Sequence, residues 1–189
     1  MRRRDRYGRR RATTVVAVTS AKRAARPGVV WGLVFGVTIA ATMKSYTSSF
    51  PTAASRANLL RTFQGNAAFE ALFGLLRHLD TVAGYTAYKD SMTIIIVGAV
   101  WGLLIATKLL RGEEEAGRWE LLLAGQTTRS RATAQTVLGL AAGAVAVWIP
   151  TAVLTAAAGA ASSIGVGVGA SFYYATALVA AVVMFMAVA

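Results

Sequence analysis

From Ala132 to Ala189 the chain carries no charged side chain. In a soluble domain about a quarter of the residues are charged, so a run of this length cannot form an ordinary water-facing surface. It is long enough for two membrane-crossing helices of about 20 residues each. Two shorter runs have the same character. Residues 27–43 lie uncharged between Arg26 and Lys44, and Met92 to Thr107 is uncharged up to Lys108, whose amine can snorkel to the interface. At a rise of about 1.5 Å per residue, each comes close to crossing a hydrocarbon core of about 30 Å. Pro150 and the glycine- and serine-rich stretch 159–171 divide the long C-terminal run. The spans read from this pattern are about 27–43, 92–110, 132–156 and 171–189. Open sheets cannot satisfy their backbone polar groups in lipid. The expected fold is therefore all-α, a polytopic helical membrane protein of about four spans.

The charges are unevenly placed. Net charge is +12, and ten of the twenty Lys and Arg precede Pro27, with Asp5 the only acid among them. Such a tail could bind nucleic acid. Beside a membrane span it instead marks the cytoplasmic side and meets anionic lipid head groups, so the reading is membrane lipid and no nucleic acid. Residues 1–11 are arginine-rich, with too little apolar content to fold alone, and are expected to be disordered. Residues 12–26 can form a short interfacial helix. The apolar stretch after Arg26 is longer than a signal-peptide core and lacks a clear cleavage site, so it reads as an uncleaved span. The division is then a basic cytoplasmic tail, 1–26, and a transmembrane domain, 27–189. An outer loop, 44–91, has helical spacing over 56–63 and over 66–79, where Leu72, Phe73, Leu76 and Leu79 share a side.

Glycines recur at intervals of four in three spans: Gly28, Gly32 and Gly36; Gly98 and Gly102; Gly139 and Gly143. A helix face without side chains lets a second helix approach closely, and these seven are the candidate helix-packing positions.

Catalytic groups are missing from the sequence. The lone Lys-Ser pair, Lys44-Ser45, follows Met43 where a phosphate-binding loop needs glycine. No Gly-x-Ser-x-Gly or paired His-Glu zinc motif occurs, there is no cysteine, and His78 with Asp80 lacks further ligands. Apart from Lys108, which can snorkel from the end of its span, no acid or base falls inside a span drawn as above, which argues against coupling to an ion gradient. The chain is expected not to be an enzyme, to have no catalytic or metal site, and to bind no cofactor itself.

One charged island interrupts the apolar runs. Residues 111–131 mix Arg111, Arg118, Arg129 and Arg131 with Glu113, Glu114, Glu115 and Glu120. Three carboxylates suit the positive end of a helix dipole, and Arg111 with Glu115 and Glu114 with Arg118 have the spacing of ion pairs on one helical face. Trp119, Leu122 and Leu123 form an apolar stripe before Gly125. The segment reads as a short amphipathic helix that lies on the membrane or docks on a partner.

The run Glu-Glu-Ala-Gly-Arg-Trp-Glu-Leu-Leu-Leu-Ala, 114–124, resembles the coupling segment between the second and third spans of ABC type-2 export permeases. Glu115, Gly117, Glu120, Leu121 and Leu122 stand where that pattern has Glu, Gly, Glu and a leucine run, and Gln126 stands where the family usually has proline. The outer-loop wording Phe-Pro-Thr-Ala-Ala-Ser-Arg, 50–56, followed by Asp-Thr-Val-Ala-Gly, 80–84, is similar to that of actinobacterial polyketide-antibiotic and multidrug exporters in the same family. The resemblance covers the N-terminal part of such a permease. It implies a cytoplasmic coupling helix contacting an ABC-type ATPase subunit through Glu113, Glu114, Glu115, Gly117, Arg118, Trp119, Glu120, Leu121 and Leu122. ATP and magnesium would be held on that subunit. It also implies a plasma-membrane protein with a cytoplasmic N-terminus. Further permease spans, or a second permease copy, would complete the pathway, because no Lys or Arg follows the fourth span and family members continue past this point. The alternative is a membrane scaffold or assembly protein that recruits another cytosolic partner through 111–131.

Overall fold

A computed structural model describes residues 2–63, 67–74, 77–115, 129–161 and 163–188. Six helices follow in order: α1 (Arg2–Ser49), α2 (Ala53–Phe63), α3 (Ala67–Phe73), α4 (Val82–Glu115), α5 (Arg129–Ala160) and α6 (Val168–Val188). No strand occurs among the described residues. Four of the helices hold stretches long and apolar enough to cross a membrane: Ser20–Ser49, Val82–Leu110, Thr133–Ala160 and Val168–Val188. Much of what they turn outward is apolar, including Val30, Leu104, Val153 and Met184. Exposed apolar surface on this scale suits lipid rather than water.

Several expected boundaries move. Residues 1–11 were expected to be disordered and 12–26 to form a separate helix, but from Arg2 onward the backbone is one helix that runs through Pro27 into the first span. Arginine is a good helix former, and a helix already nucleated by the span extends without a new nucleation step. Pro150 likewise does not divide the C-terminal run, because α5 continues through it. The division falls within the expected stretch 159–171, between the end of α5 at Ala160 and the start of α6 at Val168, where Gly165 and Gly167 take left-handed φ values of 71° and 83° and the Gly167 amide donates to the Gly159 carbonyl at 2.8 Å. The loop expected over 44–91 is shorter at both ends, since α1 extends to Ser49 and α4 starts at Val82. Inside it, the helix expected over 66–79 stops at Phe73, where Gly74 (φ 77°) accepts the left-handed turn at the helix end. Leu79 instead belongs to the turn before α4 and lies buried under Tyr46.

Small residues set the register of the bundle. A Cβ on Gly28 would lie 2.8 Å from the Gly143 carbonyl oxygen, one on Gly32 would strike the Val147 carbonyl, and one on Gly36 would meet Leu154 Cβ at 2.8 Å. Reciprocally, a Cβ on Gly143 would come within 2.7 Å of Ala24 Cβ, and one on Gly139 would meet Ser20. Residue numbers rise together on both helices, so α1 and α5 run parallel in close backbone contact. Gly98 and Gly102 bring α4 against Val182 and Met186 of α6 in the same sense. The two parallel pairs are joined antiparallel through Thr42 with Asp90 and Trp148 with Thr176. Thr151 fixes the α1–α5 contact, its hydroxyl lying 2.8 Å from the Val147 carbonyl and 3.2 Å from that of Gly32.

Phe35, Ile39 and Met43 of α1, Ile94 and Trp101 of α4, Val147 of α5, and Leu178, Val179, Val182 and Met186 of α6 form the central core. A smaller cluster of Ala24, Ala106, Leu109 and Leu140 closes one end. At the other end, Tyr46, Leu59 and Leu79 pack with Phe50, Phe63, Tyr85 and Tyr88 to hold α2 and the 77–81 turn over the bundle.

Candidate functional site

Up-and-down order places the start of α1, the end of α4, the start of α5 and the end of α6 together. Ala24, Leu109 and Leu140 meet there. Lys22 and Arg26 are exposed near the same end, as is Lys108. The charged island is therefore tethered at both its ends beside the basic start of the chain. α4 continues to Glu115, so Glu113, Glu114 and Glu115 form its last turn rather than opening a separate helix. That reverses the expected dipole relation, since a helix C-terminus is its negative end. The reason is local: Leu109, Leu110, Arg111 and the three glutamates are all good helix formers, and Gly112 alone does not stop them. Gly117, Arg118, Trp119, Glu120, Leu121 and Leu122 lie outside the described residues, and α5 resumes at Arg129.

The seven glycines all lie within the spanning helices. Gly28, Gly32 and Gly36 face α5, Gly139 and Gly143 face α1, and Gly98 and Gly102 face α6. Beside these contacts, an apolar cleft of about 320 Å³ opens between α4, α5 and α6, lined by Leu110, Val137, Leu140, Ala144, Val183 and Met186. Its walls are aliphatic side chains, so it offers shape and no polar handle.

Sequence reading missed a second feature. With α4 starting at Val82, Lys89 and Asp90 fall inside the spanning stretch, so the expectation that no acid or base lies in a span does not hold. Asp90 is 4% exposed, and its Oδ1 accepts a 3.1 Å hydrogen bond from the Thr42 hydroxyl of α1. The other carboxylate oxygen has no partner. One turn earlier Thr86 is 1% exposed, and its hydroxyl also has no partner. Tyr174 of α6 closes the third side, its hydroxyl 3.3 Å from the Thr86 carbonyl and 3.1 Å from Ser91 Oγ. Lys89, next in sequence, is exposed with its ammonium 5.8 Å from the Tyr85 ring. The available signal was the order Thr86, Asp90 and Ile94 at one-turn intervals, a stripe continuous with the buried face of the span.

His78 and Asp80 are exposed in the turn before α4, where His78 takes φ 57°. Among the described residues, no three of His, Cys, Asp and Glu gather closely enough to hold a metal ion. No family model, curated protein or solved structure matches this chain.

The absence of cysteine makes sidedness directly measurable. If the basic end is cytoplasmic, as the distribution of Lys and Arg predicts, cysteines introduced singly at exposed Ala57 and at Gln126 will react with an impermeant maleimide from opposite sides. Ala57 is expected to label in intact cells and Gln126 only after permeabilisation. Labelling of Gln126 in intact cells would reverse the orientation.

Proposed function

We propose that this chain is a membrane-spanning permease subunit of an ATP-driven, ABC-type exporter that moves a hydrophobic compound, such as an antibiotic or drug, out of the cell. The observation that carries the reading is the order Glu115, Gly117, Glu120, Leu121, Leu122 in a charged segment delimited by the second and third spanning helices. The position of that segment supports it. Both ends emerge beside the basic start of α1, which a cytoplasmic docking element requires if the positive end faces the cytoplasm. On this reading the ATPase subunit binds ATP and magnesium and performs the hydrolysis, and this chain contributes no catalytic group. Trp119 is the apolar anchor of the contact, Glu120 its charged partner, and Leu121 and Leu122 extend the apolar surface. Glu113, Glu114, Glu115 and Arg118 flank them. Further spans or a second permease copy would complete the pathway.

The test measures both association and coupling. The affinity-tagged chain should bring down a polypeptide with a phosphate-binding loop and magnesium-dependent ATPase activity. Trp119→Ala should weaken that association by about 2 kcal/mol or more, the loss common for a buried aromatic anchor. Glu120→Lys should place like charges together if the facing group is basic. Both variants should reach the membrane at wild-type levels while substrate-stimulated hydrolysis falls about tenfold or more, since about 1.4 kcal/mol corresponds to a factor of ten. Normal association and coupling in both variants would defeat the exporter reading and leave a helix resting on lipid.

A further inference from the structure

We propose that Asp90, Thr86 and Thr42 form a binding site for one sodium ion between α1, α4 and α6. The argument begins with charge. An ionised carboxylate inside a helical bundle costs several kcal/mol unless a charge or a set of donors compensates it. Here Asp90 receives one neutral hydrogen bond, from Thr42, and the neighbouring ammonium of Lys89 points out toward the Tyr85 ring. From α1 the facing group is the Thr42 hydroxyl, and from α6 it is the neutral Tyr174 phenol, so among the described residues no basic side chain enters from these two helices.

Two buried oxygens then point to what the site takes. Asp90 Oδ2 and Thr86 Oγ1 are both shielded from solvent and both without a partner. They come from residues four apart on α4, a spacing that puts their Cβ atoms about 5–6 Å apart on one face. Each can accept, and a small cation between them would satisfy both together. Half-buried Gln135 and buried Thr155 also carry unpartnered oxygens, but neither is paired on its helix with a carboxylate. The groups that meet at the junction offer oxygens: a carboxylate, the hydroxyls of Thr42, Thr86 and Ser91, and the Tyr174 phenol. Oxygen-only sets favour hard cations over transition metals. A single carboxylate neutralises one positive charge, whereas a divalent ion would leave a net buried charge. A proton on Asp90 would neutralise the carboxylate and be shared with at most one acceptor, whereas a metal ion gathers several oxygens around it. Sodium accounts for both oxygens.

The inference is independent of the exporter reading, because ion binding here does not involve the 111–131 segment. Filling the site would tie α1 to α4 next to the contact of Tyr174 with α4, and so stabilise the arrangement of three spans. The experiment uses the full purified chain in lipid nanodiscs, with choline chloride replacing sodium chloride at constant ionic strength and pH. Raising sodium from about 1 to about 100 mM should raise the thermal midpoint by about 3 °C or more, since a ligand that binds only the folded state stabilises it by mass action. Radiolabelled sodium should bind once per chain and be displaced by excess unlabelled sodium but not by choline. Asp90→Asn should abolish both effects. Thr86→Val, which keeps the side-chain shape and removes the hydroxyl, should raise the half-saturating sodium concentration about tenfold while the chain stays folded. A midpoint that responds equally to sodium and choline, or binding that survives unchanged in Asp90→Asn or Thr86→Val, would overturn the proposal.

Discussion

Replacing Gly32 with leucine is expected to lower the thermal midpoint of the detergent-solubilised protein by about 6 to 12 °C. The expected loss is about 3 kcal/mol, at the upper end of the usual range for overpacking, and a chain of this size loses about 2–4 °C per kcal/mol. Overpacking is usually eased when a flexible side chain turns aside. At Gly32 the obstacle is the Val147 carbonyl, part of the helical backbone of α5, so any Cβ there forces the two helices apart. Separation would also remove the Thr151 hydroxyl from the Gly32 carbonyl, at present 3.2 Å away, and disturb the flanking contacts of Gly28 and Gly36. In lipid there is no hydrophobic driving force to hold displaced helices together, because close packing itself supplies much of the attraction. Gly169 is the control. Nothing lies within 4 Å of a Cβ built there, so Gly169→Ala should leave the midpoint unchanged or raise it slightly. A midpoint for Gly32→Leu within about 2 °C of wild type would mean that α1 and α5 do not meet along this face.

The same face marks how far the sequence could be read. Four spanning helices follow from the uncharged runs, because removing backbone polar groups from water leaves a chain of this composition few alternatives. The four-residue glycine spacing identifies faces fit for close packing, but not the partner of each face. That α1 meets α5 in parallel, while α4 meets α6, depends on how all four helices share one core, and no local pattern encodes it. Boundaries were misplaced where single polar residues were read as loop. Thr86 and Asp90 look in sequence like part of the polar interval 44–91, yet both are buried at helix contacts. Polarity at one position says whether a group needs a partner; only the fold says whether it has one. Pro150 lies within α5, inside the span drawn over 132–156, since proline is tolerated in spans where neighbouring helices and hydroxyl side chains take up the freed backbone groups. The charged island was legible as a composition, and its place at the end of the bundle beside α1 follows from the four-helix order. The contact roles of Trp119 and Glu120 rest on the resemblance.

The cap over the opposite end should respond differently from the bundle, and Tyr46 is where to separate them. Its side chain is 2% exposed, its hydroxyl donates to the Leu79 carbonyl at 3.1 Å, and its ring lies 5.1 Å from that of Tyr85 and 5.3 Å from that of Phe50. It thus joins the end of α1 to the turn before α4 and, through the same cluster, to Leu59 on α2. Truncation to alanine removes the ring and leaves a cavity, which for a buried aromatic costs about 3–5 kcal/mol. Tyr46→Phe keeps the ring and loses only the hydrogen bond, a change of about 1 kcal/mol. Because α2 is held by this cluster and by the Arg56 Nε bond to the Phe50 carbonyl at 3.0 Å, the loss should appear first as local opening of the cap. Amide exchange over 53–63 in Tyr46→Ala should accelerate about a hundredfold or more, as a loss of about 3 kcal/mol implies, and in Tyr46→Phe by about fivefold. Exchange in the middle of α5, packed through Val147 and Thr151, should change far less. Gly32→Leu should invert that pattern, exposing α1 and α5 while α2 remains protected. If Tyr46→Ala left exchange over 53–63 at the wild-type rate, the cap would be held by contacts other than this aromatic cluster.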